Sequence, residues 1–247
     1  IDTNIVGTFN LLESSRSYWE SLSGERKDNF KFIHISTDEV FGSLNKSDKF
    51  KETSPYDPRS PYSATKAASD HLAKAWFHTY NFPSIITNCS NNYGPFQFPE
   101  KLIPKTILKA IKGEEITVYG NGENVRDWLF VEDHIDALLL VSKIGRVGET
   151  YCIGDNNERN NIGLVKEICN ILKSYVPTKN QYSELIKFVK DRPGHDKRYA
   201  INSTKIKNEL GWVPRTNFND GLKTTIEWYI SNKDWYESII KKRNIRK

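Results

Sequence analysis

Methionine is absent from all 247 residues, position 1 included, and cysteine is scarce: Cys89, Cys152 and Cys169 stand far apart, odd in number and without a C-x-x-C pair. That spacing argues against a disulfide framework or a thiolate zinc site and leads us to expect a reducing, cytoplasmic setting. No run approaches the roughly 18 apolar residues that a membrane helix requires. His34, His71, His78 and His134 have no metal-ligand spacing, so no metal is expected. Neither charge dominates: 36 Lys+Arg face 31 Asp+Glu, a net of +5 spread along the chain. Only Lys241-Lys242-Arg243 and Arg246-Lys247 cluster, and without interleaved aromatic residues they read as a solvated tail rather than a nucleic-acid arm. The remainder, 37% hydrophobic and 27% charged, is a globular composition with a mean hydropathy of −0.62, enough for one large domain or two sharing a core.

A phosphate-cradling glycine loop is also missing. Gly120-Asn-Gly122-Glu-Asn-Val125 comes nearest, but it breaks at the third glycine and follows no strand–helix crossover, so it reads as a turn. Ile1, Ile5, Phe9 and Leu12 already recur at helical spacing, predicting a helix over about 3–22 with no strand before it. The expectation is a chain without its natural beginning, the first strands and the glycine loop of a dinucleotide-binding fold lying upstream.

Lys31-Phe-Ile-His-Ile-Ser36 is a short β-branched run that reads as a buried strand. A polar loop containing Lys46, Ser54, Pro55 and Pro58 follows, and then Ser60-Pro61, a cap and a proline that begin a helix running to about Tyr80. Ser84–Ser90 is the next strand. Helix, strand, helix, strand is the doubly wound α/β pattern. Further helices are predicted at 100–112, 133–144, 162–175, 203–210 and 219–231, with strands at 116–119, 125–131, 150–153 and 188–189. The expected architecture is α/β: a Rossmann-type doubly wound parallel sheet over 1–93, then a smaller α+β substrate domain over 94–247. Segments near 125–155 are expected to return to the Rossmann core.

A Tyr-x-x-x-Lys pair puts a phenol and an ammonium on one helical face, where the charge lowers the phenol's pKa from about 10. The pattern alone is weak, since 12 tyrosines and 25 lysines generate about one match by chance. It occurs at Tyr62/Lys66, Tyr175/Lys179 and Tyr229/Lys233. Pro177 separates the second pair from a common helical face, and Tyr229 falls on the last long helix, where its lysine is expected to be solvated. Tyr62 opens a capped helix just after the strand ending in Ser36-Thr37-Asp38-Glu39, and strand ends are where open α/β sheets bind ligands. Thr37-Asp38-Glu39 then offers a hydroxyl and two carboxyls whose environments must split their pKa values, although such a triplet also serves as an ordinary capped turn.

Three segments, Ser36-Thr-Asp-Glu-Val-Phe-Gly42, Ser60-Pro-Tyr-Ser-Ala-Thr-Lys66 and Asn88-Cys-Ser-Asn-Asn-Tyr-Gly-Pro95, resemble the extended short-chain dehydrogenase/reductases. Within that superfamily they resemble the nucleotide-sugar 4,6-dehydratases, in particular those acting on dTDP-glucose. Phe98–Pro104, Val125–Asp133 and Asp191-Arg-Pro-Gly-His195 extend the likeness to essentially the whole chain. Sugar epimerases of the superfamily share Tyr-x-x-x-Lys but usually lack the Thr-Asp-Glu and Asp-Arg-Pro-Gly-His segments. Phe41 stands where the family usually has tyrosine.

The resemblance implies an NAD-dependent lyase making a 4-keto-6-deoxy sugar for deoxysugar (for example rhamnose) synthesis, working as a homodimer. Tyr62 takes the C4 hydroxyl proton and Lys66 holds the nicotinamide ribose, with Asn92 also on the cofactor side. Thr37 bonds the C4 oxygen, Glu39 removes the C5 proton and Asp38 protonates the departing C6 hydroxyl. Asn91, Lys101, Leu102, Thr117, Val118, Tyr119, Arg126, Asn161, Asp191, Arg192, Pro193, Gly194 and His195 match nucleotide-sugar contacts. Arg126, Arg192 and His195 suit a diphosphate, whereas Asn91-Asn92 read equally well as turn residues. Asn4 is expected to approach the site. The alternatives are a UDP-glucose 4,6-dehydratase, another nucleotide-sugar epimerase or dehydratase, and a non-catalytic binding module.

Overall fold

Ser60 and Pro61 organise the first half of the computed structural model, which describes residues 1–45 and 47–245. The readings made for Lys46, for Arg246-Lys247 and for the Arg243 side chain lie outside what is described. Ser60 Oγ accepts the Ser63 N–H at 3.1 Å and Ser63 Oγ accepts the Ser60 N–H at 2.9 Å, a reciprocal cap that starts α3 (Pro61–Tyr80). Asn81, in a left-handed conformation, ends it. The helix joins β1 (Phe32–Thr37) to β2 (Ser84–Cys89), and the two strands pair in parallel with Thr37 opposite Cys89. β6 (Thr150–Ile153) adds in parallel to the other edge of β2. Strand β2 is therefore central and buried along its whole length, Thr87 and Asn88 included, whereas β1, read as buried, lies at the edge of this three-stranded sheet with Ile35 48% exposed.

The first helix, α1 (Gly7–Glu20), is shorter than the periodicity predicts, because Asp2–Val6 forms a wider π-type turn. Only Leu12 of the apolar stripe is buried; Ile1 is 79% exposed and Phe9 44%. α2 (Gly24–Asp28) follows, unforeseen in the sequence.

The second half builds short sheets around β5 (Val125–Phe130), which pairs in parallel with β3 (Asn91–Tyr93) and antiparallel with β7 (Glu158–Asn160). β4 (Ile116–Tyr119) pairs in parallel with β8 (Ile186–Val189). Asn91-Asn92 thus begin a strand rather than a turn. Between β4 and β5 the sequence does turn: Gly122 has φ +76°, and a Cβ there would lie 2.7 Å from Ile162. α4 (Leu102–Ile111), α6 (Asn161–Tyr175) and α8 (Phe218–Ser231) enclose one core through Ile103, Ile107, Leu164, Ile168, Leu222 and Ile226. α5 (Val131–Ile144) and α7 (Thr204–Leu210) pack Val141, Ile206 and the following Trp212 against Ile85 and Ile153. The chain breaks at Asn232 before α9 (Lys233–Ile245), so Tyr229 and Lys233 do not share a helix. No helix among the described residues is long and apolar enough to cross a membrane.

Candidate active site

Strand β1 delivers Thr37 to its C-terminal end, where the chain tightens into a 3₁₀ turn over Asp38–Phe41. The Thr37 hydroxyl caps that turn: it accepts the Glu39 N–H and donates to Asp38 Oδ1, each at 3.3 Å. The turn sends the two carboxyls into different surroundings. Asp38 is 1% exposed, and burial, reinforced by the charges of Glu39 and Asp127, holds its pKa well above the ordinary carboxylate range. Glu39 keeps partial solvent access. Burial raises it too, but Arg126, Lys101 and Arg192 pull it back down.

The loop leaving Phe41 determines which charges gather there. Leu44 N–H donates to the Arg198 carbonyl at 3.0 Å, Phe50 N–H to Ala200 at 2.9 Å, and Asn202 N–H to Phe50 at 2.8 Å. These bonds lay residues 196–202 alongside the carboxylate turn. Arg126, on β5, is buried beneath them; its guanidinium lies 4.2 Å from the Tyr199 ring centre and donates to the Val125 and Asp196 carbonyls at 2.8 and 3.0 Å. Its field reaches both Asp38 and Glu39.

Tyr62 and Lys66 stand one turn apart at the start of α3. The expected lowering of the phenol is not found: burial and the charges of Glu39 and Asp38 push Tyr62 up to about 12. Lys66 Nζ is directed to the Ile35 carbonyl at 2.7 Å, and burial pulls its own pKa down against the field of Asp70. Asn4 Nδ2 donates to Thr65 Oγ1 at 2.9 Å, which brings the N-terminal turn against the Tyr62–Lys66 segment.

The Asp191–His195 segment forms its own network. Asp191 Oδ1 lies 2.7 Å from His195 Nδ1, and Arg192 donates to His195 Nε2 at 2.8 Å, so the histidine carries its proton on Nδ1. The same guanidinium lies 5.2 Å from the centre of the Tyr119 ring. Val118 points into the core at 2% exposure, leaving only its backbone for a ligand, and Leu102 is largely packed against that core. Lys101 is the N-cap of α4, and Asn161 opens α6 with its buried Oδ1 unpartnered.

A nicotinamide cofactor is tested by the buried polar atoms lacking partners. Ser36 Oγ, Ser90 Oγ, Asn91 Oδ1 and Asn92 Oδ1 all fall at the C-terminal ends of β1 and β2 or just beyond, beside the Lys66 helix. Buried polar atoms normally find partners, so this ring fits a polar ligand laid across the strand ends. Sequence reasoning missed Asp127, Asp196 and Tyr199, whose fields act on the carboxyls, and Asp70 and Asn88 beneath them. Only Asp127, adjoining Arg126, and Asn88, each within a quoted segment, left a local trace.

The sequence profile described as GDP-mannose 4,6 dehydratase matches residues 1–225. A dTDP-glucose 4,6-dehydratase of Neisseria meningitidis serogroup B is 55% identical over 245 residues, covering 97% of this chain and 69% of the relative. The Escherichia coli enzyme of the same description is 53% identical over 248 residues, with the same coverage. The solved dTDP-glucose 4,6-dehydratase from Bacillus anthracis, in complex with NAD, superimposes with a TM-score of 0.85 at 46% identity, over 96% of this chain and 70% of that one. With a profile match over most of its length and relatives more than half identical, the chain belongs to the nucleotide-sugar 4,6-dehydratase family of Rossmann-type short-chain dehydrogenase/reductases.

Proposed function

We propose that this protein dehydrates dTDP-glucose to dTDP-4-keto-6-deoxyglucose, as an NAD-dependent hydro-lyase supplying deoxysugar synthesis. The observation that carries the reading is the separation of environment between Asp38 and Glu39, on a turn capped by Thr37 and faced by Tyr62. Bound NAD supplies a reversible oxidant for C4, so the sugar leaves with no net change of redox state.

Lys66 and Asn92 would hold the nicotinamide end, with Tyr62 accepting the C4 hydroxyl proton. A phenol pushed up to about 12 is a reluctant base at neutral pH, so the reading requires the positive cofactor ring and the Lys66 ammonium to favour its anion once the site is filled. Thr37 holds the C4 oxygen. Oxidation at C4 acidifies the C5 proton, which Glu39 removes as a carboxylate, Arg126, Lys101 and Arg192 opposing the burial that raises it. Asp38, kept neutral by burial, donates its proton to the leaving C6 hydroxyl. Arg192, His195, Tyr119 and Lys101 suit the nucleotide diphosphate, with Asn91, Asn161, Thr117 and the Val118 backbone around it. Arg126, buried and with its charge felt by both carboxyls, fits a role in setting their charge better than one as an open phosphate clamp.

Residues 1–93 are assigned to the cofactor half, with β6 completing its sheet, and most of 94–247 to the nucleotide-sugar half. Val6, Phe9 and Leu11 are exposed apolar side chains of the N-terminal helix beside α3, which supports a homodimer through these two helices. A cytoplasmic setting accords with three free cysteines. Incubating the full-length protein with dTDP-glucose and UDP-glucose in parallel tests the reading: a 4-keto-6-deoxy product is expected from the first, and its formation only from the second would overturn the choice of nucleotide.

A further inference from the structure

Beneath the turn carrying the carboxyls lies a polar group that the proposed chemistry does not use. Asp70, on α3 one turn beyond Lys66, is 0% exposed. Its Oδ2 accepts the Tyr56 hydroxyl at 3.0 Å and the Asn88 amide at 3.1 Å, and its Oδ1 lies 3.0 Å from His34 Nε2. Asn88, itself 0% exposed on β2, donates from the same Nδ2 to the Thr37 carbonyl at 3.1 Å. The orientation of that amide is fixed, because turning it over would set its oxygen against a carboxylate oxygen and a peptide oxygen.

Two ties therefore run from one patch of α3 to alternate carbonyls of β1. Lys66 Nζ holds the Ile35 carbonyl directly, and Asp70 holds the Thr37 carbonyl through Asn88. The second tie is made at the peptide that leads into Asp38. We propose that Asp70 is a positioning residue for this active site: through Asn88 it fixes the peptide preceding the two catalytic carboxyls, and through its negative charge it supports the Lys66 ammonium.

The geometry gives each role a separate physical basis. Rotation about the Thr37–Asp38 peptide would swing both carboxyls relative to the Tyr62 phenol, and displacements of about 1 Å in such groups cost rate rather than binding. The titratable groups bearing on Lys66 are Asp70 on its own helix and Cys89 on β2, while β1 gives it the Ile35 carbonyl. His34 lies on the far side of Asp70. With burial working against the ammonium, Asp70 is the carboxylate opposing that burial.

This inference rests on the proposed dehydratase reading, and two variants of the full-length holoenzyme test it against wild type on dTDP-glucose. Asp70→Asn can keep the contacts of Asp70 itself: its carbonyl oxygen replaces Oδ2 for Tyr56 and Asn88, and its amide donates to His34 as the acceptor tautomer, at the cost of the His34–Ser69 contact, while the charge is removed. The alkaline limb of its kcat/KM profile is expected to move to lower pH by about half to one unit, with KM at neutral pH changed less than about twofold. Asn88→Ala keeps the charge and cuts the tie, so kcat is expected to fall about 10- to 100-fold while KM and the alkaline limb stay near wild type. A merely structural role would lower thermal stability without separating the two variants in this way. A folded Asp70→Asn with the wild-type pH profile, or a folded Asn88→Ala with the wild-type kcat, overturns the proposal, and either variant decides its own half if the other does not fold. A wild-type enzyme that makes no 4-keto-6-deoxy product would instead sink the dehydratase reading.

Discussion

Asp38 and Glu39 are consecutive residues that burial raises to different degrees. Asp38 is sealed beside Asp127 and driven toward its neutral form, whereas Glu39 faces Arg126, Lys101 and Arg192 with partial access to solvent. The surroundings alone thus separate two adjacent carboxyls in the direction that the proposed donor and acceptor roles require.

Glu39→Gln tests the acceptor. Glutamine preserves size but cannot take the C5 proton, while oxidation at C4 is the step proposed for Tyr62. Product formation should slow by about 10²–10⁴-fold, with a near-UV absorbance change still seen on mixing with substrate and exchange of the C5 proton with solvent suppressed. Asp38→Asn should retain that exchange. A wild-type rate in Glu39→Gln would make Glu39 an ordinary turn carboxylate.

Replacing each tyrosine of the three Tyr-x-x-x-Lys pairs separates chemistry from packing. Tyr62→Phe should remove turnover by about 10²–10⁴-fold without loss of stability, since its side chain is half exposed. Tyr175, whose hydroxyl reaches Glu227 at the surface, should be silent. Tyr229 is fully buried and bonds the Gln97 carbonyl, so Tyr229→Phe should cost about 1 kcal/mol of stability and leave kcat intact. Activity assays with thermal melts distinguish these outcomes.

Arg126 and Arg192 should part company. Arg192→Ala removes a guanidinium near Tyr119 and His195, and is expected to raise KM while sparing turnover at saturation. Arg126→Ala removes a buried cation whose field lowers both carboxyls, so Glu39 should titrate higher and the acid limb of the rate profile should shift to higher pH. It should also lose about 2–4 kcal/mol of stability with its two hydrogen bonds and its ring contact. Equal KM effects in both variants, with no pH shift, would reject this division.

Burial lifts Asp127 to about 6, and Asp155 likewise to about 6. A raised acid pKa means that the folded state favours the protonated form, so this contribution is complete below about pH 4 and is lost as pH rises through about 6. Asp127→Asn, which can still accept the Asn157 N–H, should therefore gain relative to wild type between about pH 4 and pH 7, by up to about 3 kcal/mol. Melting curves across that range would show a constant difference if Asp127 did not titrate there.

Leu11, 62% exposed on α1, offers a direct probe of the proposed dimer face. Leu11→Glu should convert the full-length protein to a monomer by light scattering while leaving its secondary structure unchanged, because the side chain contributes nothing to the buried core.

The sequence alone determined what local chemistry governs. The Ser60-Pro61 start of α3 follows from one hydroxyl and one ring, whereas the full burial of β2, with its polar Thr87 and Asn88, comes only from its central place in the sheet. The Tyr62/Lys66 pair and the Thr37-Asp38-Glu39 triplet were legible because residues one helical turn or one peptide apart meet whatever else the chain does. Strands β3 and β7, three residues each, had no such signal and exist only because β5 lies between them. The tertiary structure alone decided the electrostatics. Asp38 is buried by segments more than eighty residues away, Tyr62 is raised rather than lowered because burial, and then Glu39 and Asp38, act on it, and Arg126 bears on those carboxyls because the Leu44–Phe50 loop draws residues 196–202 alongside them. A pKa depends on what displaces water and which charges stand within a few ångströms, and in this protein those neighbours come from the far half of the chain.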